Sequence, residues 1–253
     1  MKIEQQVVLV SGGASGLGEA TARHLASKGA KVAILDFNLE RAELVASEIN
    51  GLALQVDVGD EHSVEQAVRT TVDSLGAPRV AVSCAGIGLA ARIVGRDGKP
   101  SFDVFRQTLN VNLFGTYHVM THAAAHMMEL SALEHGERGV IINTSSVAYE
   151  DGQLGQSAYA ASKGAIASMC LPAAREFARA GIRVMAIAPG LFKTPMMEGL
   201  PKEVTDKITA DIPFPARLGD AEEYALLVEH IVANPFLNGT TIRLDGAVRL
   251  PPR

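Results

Sequence analysis

Seven short apolar runs recur along the chain: Val7–Val10, Lys31–Leu35, Ala53–Val56, Val80–Val82, Val140–Ile142, Val184–Ile187 and Thr241–Leu244. Most are apolar at consecutive positions rather than alternating, which is the pattern of parallel strands covered on both faces. Between them lie stretches with helical spacing: Ala20–Lys28, Arg41–Ile49, Ser63–Ser74 and the longer Ala158–Ala180. In the first, Leu17, Ala20, His24 and Leu25 make one stripe, and Gly29 stands where a helix would end. Strands alternating with helices predict right-handed βαβ crossovers. The expected fold is therefore α/β: one doubly wound, mostly parallel, seven-stranded sheet with helices on both faces.

No linker, repeat or low-complexity stretch divides residues 1–253, so a single domain is expected. Two segments break the alternation. Arg92–Ser101 reads as a loop insertion with Gly95, Gly98 and Pro100, and Pro189–Pro215 is irregular, with five prolines beside Met196, Met197, Leu200 and Phe214. The second is placed to act as a substrate loop over about 189–216.

Composition narrows the functional classes. A net charge of −5 argues against a broad nucleic-acid surface, which needs clustered positive charge. No apolar run approaches the roughly 20 residues that span a bilayer. Cys84 and Cys170 are far apart in apolar surroundings, better suited to buried thiols than to a disulfide. Met1–Gln6 leads straight into the first strand without a targeting pattern, so a cytoplasmic chain is expected.

Directly after the first strand comes Ser11-Gly12-Gly13-Ala14-Ser15-Gly16-Leu17-Gly18. Glycines at 12, 16 and 18 permit a sharp turn and a close approach to a pyrophosphate. The helix that follows offers free N–H groups and the positive end of its dipole. A glycine-rich turn alone is weak evidence, but its place between strand and helix favours a dinucleotide. Asp36 ends the second strand, where a carboxylate can bond ribose hydroxyls. Its charge would repel a 2′-phosphate, and neither Phe37 nor Ala14 supplies a cation, which favours NAD over NADP. Asp57-Val58 and Cys84-Ala85-Gly86 follow the third and fourth strands and could lie against the same ligand.

Tyr159 and Lys163 are four positions apart in a predicted helix and so share a face. A free phenol with a pKa near 10 is a poor base at neutral pH, and lowering it by about 3 units needs roughly 4 kcal/mol. An ammonium about 4 Å away at an effective dielectric of about 20 supplies energy of that order. The pair is also common on solvated helix faces. Upstream, Val140–Asn143 leads into Thr144-Ser145-Ser146 at a strand end, and such ends line the ligand crevice of open α/β sheets. Ser146 could donate to a substrate oxygen, or Ser145 and Ser146 could simply cap a turn. No Gly-x-Ser-x-Gly elbow supports a hydrolase.

Taken together, Gly12-x-x-x-Gly16-x-Gly18, Cys84-Ala85-Gly86, Asn110-Val111-Asn112, Ser146, Tyr159-x-x-x-Lys163 and Pro189-Gly190 resemble the short-chain dehydrogenase/reductase family over nearly the whole chain. The resemblance implies a Rossmann fold, a nicotinamide cofactor and a secondary alcohol or ketone substrate. It implies Tyr159 as proton donor and acceptor, Lys163 as the cation that lowers its pKa, Ser146 on the carbonyl and Asn112 in a proton relay. Ser83-Cys84-Ala85-Gly86 departs from the usual Asn-Asn-Ala-Gly.

Gly139–Thr144, Ala188–Phe192, Pro213–Asp220 and Asn234–Gly239 are further similar to the type II 3-hydroxyacyl-CoA dehydrogenases of that family, also described as hydroxysteroid dehydrogenases. That likeness implies NAD contacts at Ser15, Leu17, Asp36, Asp57, Val58, Cys84, Ala85, Gly86, Tyr159, Lys163, Pro189, Phe192 and Thr194. It also implies an acyl-CoA substrate and a homotetramer. Alternatives are a hydroxysteroid dehydrogenase, a 3-oxoacyl thioester reductase or a non-catalytic scaffold. The intact Ser146, Asn112, Tyr159 and Lys163 disfavour the scaffold.

Three features have plainer readings. His118, His122 and His126 repeat every four residues as metal ligands can, but they lie among Val119, Met120, Ala123 and Met127 with no cysteine or carboxylate clustered in sequence, so no metal is expected. Arg92, Arg96 and Lys99 could meet a coenzyme A phosphate or be solvated charges offset by Asp97 and Asp103. Pro172 should kink the Tyr159 helix or interrupt its hydrogen bonds.

Overall fold

The computed structural model describes residues 1–195 and 209–252. Its seven strands are β1 (Val7–Ser11), β2 (Lys31–Asp36), β3 (Leu52–Gln55), β4 (Val80–Ser83), β5 (Gly139–Thr144), β6 (Ile182–Pro189) and β7 (Thr241–Leu244). They form one sheet in the order β3-β2-β1-β4-β5-β6-β7, every neighbouring pair parallel. Each of the seven apolar runs thus falls on a strand, with only Val56 just past the end of β3, and the sheet is doubly wound as expected.

The two sheet faces are buried by different helices. Val8, Val10, Ile34 and Ile142 pack with α1 (Gly16–Ser27), α2 (Leu39–Ile49) and α7 (Ala221–Ala233). Leu9 and Leu35 face α3 (Glu61–Leu75), while Ala81, Ile141 and Val184 face α5 (Gly115–Met128) and α6 (Ser157–Phe177). This double burial explains why the strand runs are continuously apolar. Each large aliphatic side chain removed from water contributes roughly 1.5–3 kcal/mol. A short α4 (Phe102–Leu109) joins α5 through a π-helical segment, Asn110–Phe114.

Local differences from the sequence reading have physical causes. Helix α1 begins at Gly16, straight out of the glycine turn, and buries Gly18, Thr21, Ala22 and Leu25. Leu17, Ala20 and His24 flank that stripe, and the His24 ring reaches Glu229 of α7 at 2.6 Å. At its far end Gly29 (φ 84°) donates to Ala26 O and Ala30 N to Leu25 O, a Schellman closure. Helix α6 runs through Pro172 without ending. The 92–101 insertion folds on itself, Gly95 N donating to Lys99 O with Val94 bridged to Pro100. Met196, Met197 and Leu200 lie outside the described residues.

Between β1 and β4 the winding reverses direction, leaving a crevice beyond the strand ends. The glycine loop and Cys84–Gly86 emerge on its two sides.

Candidate active site

A cavity of about 550 Å³ opens at that crevice. The loops after β1 and β4 close on each other through bare backbone. A Cβ on Gly12, which has φ 67°, would lie 2.6 Å from Ala85 N, and one on Gly18 would lie 2.1 Å from Gly12 O. Cys84-Ala85-Gly86 is small because it passes against the glycine turn. Ser15 is the N-cap of α1, yet its side chain makes no capping bond to the first turn. The helix N-terminus therefore presents its N–H groups and dipole to the cavity, which Ser15, Gly16, Leu17 and Gly18 line. A pyrophosphate fits this donor set.

Asp36 is more than a surface charge. Its carboxylate accepts from Ala14 N at 3.0 Å and from Asn38 N at 2.9 Å, tying the glycine loop to the start of α2. Asp57 accepts from Gly59 N at 2.9 Å, and Val58 is buried with its carbonyl 2.9 Å from His118 Nδ1. Pro189 and Thr194 line the cavity, as does Phe192, which is buried and bridged in parallel to Gly219.

Ser146, Tyr159 and Lys163 meet on the same cavity. Ser146 stands just beyond β5, its Oγ accepting from Ala148 N at 3.2 Å. It is thus a turn cap whose O–H is turned to the Tyr159 phenol. Ser145 instead donates to Lys163 O at 2.8 Å, fastening β5 to α6. Lys163 is buried, its ammonium donating to Thr144 O at 2.8 Å and lying 5.7 Å from the Tyr159 ring centroid. The side chain of Asn112, in the π segment, accepts from Ile87 N at 2.8 Å and donates to Ile87 O and Ser162 Oγ. Asn112 and Lys163 flank Gly86, where a Cβ would lie 3.2 Å from Asn112 Oδ1 and 3.6 Å from Lys163 Nζ.

The electrostatics correct one expectation. Burial raises the Tyr159 phenol above its ordinary value, and a hydrogen bond from Ser146 pulls it back only partly. Burial also pushes Lys163 down to about 8, against a small upward pull from Cys84. The expected lowering of the phenol by its neighbour is overridden because both groups are withdrawn from water.

Sequence reasoning missed the layer beneath. Thr144 Oγ1 and the fully buried Tyr224 hydroxyl lie 2.7 Å apart, with Cys84 Sγ 3.6 Å from the first and 3.8 Å from the second. Tyr224 comes from α7, eighty residues beyond β5, and no local pattern announces it. The histidines take separate partners, His118 on Val58 and His122 3.3 Å from Glu61, and the described residues contain no cluster of three metal-ligating side chains. Arg92, Arg96 and Lys99 are exposed. Lys99 faces Asp97 at 3.7 Å, while Asp103 pairs with Arg106 rather than with the insertion.

Residues 6–205 match the sequence model of the family described as short chain dehydrogenase. The chain belongs to that family. Over 250 residues it is 46% identical to human 3-hydroxyacyl-CoA dehydrogenase type-2, covering 97% of this chain and 96% of that protein. The Drosophila melanogaster protein of the same name is 44% identical, covering 99% and 100%. A crystal structure of 3-hydroxyacyl-CoA dehydrogenase type-2 from Mycobacterium avium superposes with a TM-score of 0.93 at 41% identity, over 98% of this chain and 97% of that one. As a member of the family, the chain is an oxidoreductase of a CH–OH group that works with a nicotinamide cofactor. No helix among the described residues is long and apolar enough to cross a membrane.

Proposed function

We propose that this short-chain dehydrogenase uses NAD to interconvert a short or branched (3S)-hydroxyacyl-CoA and its 3-oxoacyl-CoA. The convergence of Ser146, Tyr159 and Lys163 on the cavity bordered by the glycine loop carries the reading. Dehydrogenase type-2 relatives at 44–46% identity over nearly full length support the acyl-CoA class.

Held by the glycine loop, NAD would supply the hydride acceptor for the carbinol carbon. The chain's residues handle the proton. Tyr159, as phenolate, takes the alcohol proton while Ser146 donates a hydrogen bond to the same oxygen as it becomes a carbonyl. Lys163 supplies the cation that favours the phenolate and, with Asn112 beside Gly86, begins the proton's route to solvent. In the reverse direction Tyr159 protonates the oxygen. Asp36 would meet the adenosine ribose and disfavour a 2′-phosphate, since neither Ala14 nor Phe37 offers a cation.

We further read the chain as a homotetramer. Phe105, Phe114, Tyr117 and Met128 are exposed on α4, the π segment and α5, apolar surface that partner subunits would cover. Its two free thiols suit a reducing, cytoplasmic setting.

The test is NADH formation with 3-hydroxyacyl-CoAs, hydroxysteroids and simple secondary alcohols. The reading expects the highest kcat/KM with a 3-hydroxyacyl-CoA, and NAD preferred to NADP. A hydroxysteroid or simple alcohol as best substrate, or faster turnover with NADP, would overturn the corresponding assignment.

A further inference from the structure

Beyond β7 the chain doubles back over the segment that leads into α6. Gly246 (φ 58°) and Ala247 (φ 65°) form a left-handed turn, closed by Asp245 Oδ1 accepting from Ala247 N at 3.0 Å. Only a strongly held turn keeps an alanine in that region. The hold is ionic: Arg243 bonds Asp245 at 2.7 Å, Glu150 at 2.7 Å, Asp151 at 2.6 Å and Val248 O at 3.1 Å. Arg243, Asp151 and Asp245 are no more than 15% exposed, so the pairs are largely screened from solvent.

The tail is then fastened a second time. Gln153 Nε2 donates to Pro251 O at 2.9 Å and Leu154 N to Pro252 O at 3.1 Å. Between the two fastenings Val248 is fully buried against Ile212 and Leu218, and Leu191 and Leu250 pack on that cluster. A Cβ on Gly190 would lie 2.8 Å from Asp245 Cβ, so β6 leaves the sheet pressed against this turn.

Leu250 also lines the cavity, as do Leu191, Val147, Ala90 and both glutamines. The glutamines have little left for a ligand: Gln156 Oε1 accepts from Gln153 N at 3.0 Å, and Gln153 Nε2 is committed to Pro251. This part of the cavity lies by the loops after β5 and β6, on the opposite side of the β1–β4 crevice from Asp36 on β2. Its apolar lining suits a hydrocarbon rather than a nucleotide.

We propose that Leu250, held by the clasped tail 245–252, walls the acyl pocket and determines how long or branched an acyl group the cavity admits. This rests on the 3-hydroxyacyl-CoA reading above. The clasp makes the wall rigid, so the volume at Leu250 acts as a measure rather than yielding to the substrate.

The test is a pair of opposite substitutions in the full chain, Leu250→Ala and Leu250→Phe, assayed with NAD over straight and branched 3-hydroxyacyl-CoAs of increasing length. Leu250→Ala should raise kcat/KM for long relative to short substrates about tenfold, the scale of one or two methylenes in an apolar pocket. Leu250→Phe should lower the same ratio, and NADH affinity should stay within about twofold in both, as expected of a wall away from the cofactor. Unchanged ratios in both variants, whatever the absolute rates, would overturn the proposal. If the parent chain turns over no 3-hydroxyacyl-CoA, the functional reading fails separately. The wall is then judged by the same ratio over aliphatic secondary alcohols of increasing length, where opposite shifts support it and constant ratios overturn it.

Discussion

Lys163 is the most exacting residue of the site, because its ammonium sits in a nearly dry place on one backbone carbonyl. Its pKa of about 8 lies below the 10.5 of a free lysine. Below about 8 both folded and unfolded chains hold the proton, and the burial penalty is felt in full. Between about 8 and 10.5 the unfolded chain keeps a proton that the folded one has lost, so folded stability from this group rises with pH. Relative to Lys163→Met, the parent should therefore gain up to about 3 kcal/mol across that window. Denaturant unfolding of both proteins without cofactor measures this, and parallel pH dependences would refute it. The raised phenol of Tyr159 adds a kinetic counterpart: alcohol oxidation should quicken and ketone reduction slow as pH rises through the neutral to alkaline range. For Asp36, substitution by Ser should raise the KM for NAD about tenfold and narrow the NAD-to-NADP preference, read from initial rates with each cofactor. At this scale the motif residues were legible in the sequence by type and spacing. What was not legible was dielectric: Tyr159-x-x-x-Lys163 looks the same on a wet helix as on a dry one.

At the scale of elements, each site residue is placed by a strand end or a helix start. The strands were legible because burial on both faces leaves uninterrupted apolar runs. The helix α1 was misjudged at its start because Gly16-Leu17-Gly18 reads as loop, although Gly18 is buried in the helix so close to the turn that a Cβ would lie 2.1 Å from Gly12 O. Gly18→Ala should accordingly abolish NADH binding and lower the melting temperature, which fluorescence titration and thermal unfolding would report. Normal NADH binding by that variant would mean the loop is not the pyrophosphate cradle. The π segment at Asn110–Phe114 had no sequence signal, since its apolar spacing is that of an ordinary helix. It matters because it carries Asn112, whose side chain is turned to Ile87 and Ser162.

For the whole molecule, the decisive feature is the strand order, which brings β1 beside β4 and so sets the glycine loop against Cys84–Gly86 and the Ser146–Tyr159–Lys163 group. Alternation of strand and helix predicted such a sheet. The packing of Tyr224 under Thr144 and of Leu250 in the cavity depended on contacts across long sequence separations, which periodicity does not encode. The exposed apolar side chains of α4 and α5 lead to a prediction at this scale: sedimentation should give a mass near four chains, and Tyr117→Glu should shift it toward smaller species. A monomeric parent would refute the tetramer.

The phenol of Tyr159 as the proton carrier is the claim on which the chemistry depends, and one variant addresses it. NADH formation from a 3-hydroxyacyl-CoA should fall at least about a thousandfold in Tyr159→Phe, well within the roughly 10²–10⁴-fold that one acid–base group contributes, because the hydride step needs the proton removed. NADH binding by the same variant should remain close to the parent's. Turnover within tenfold of the parent, with cofactor binding intact, would contradict the account.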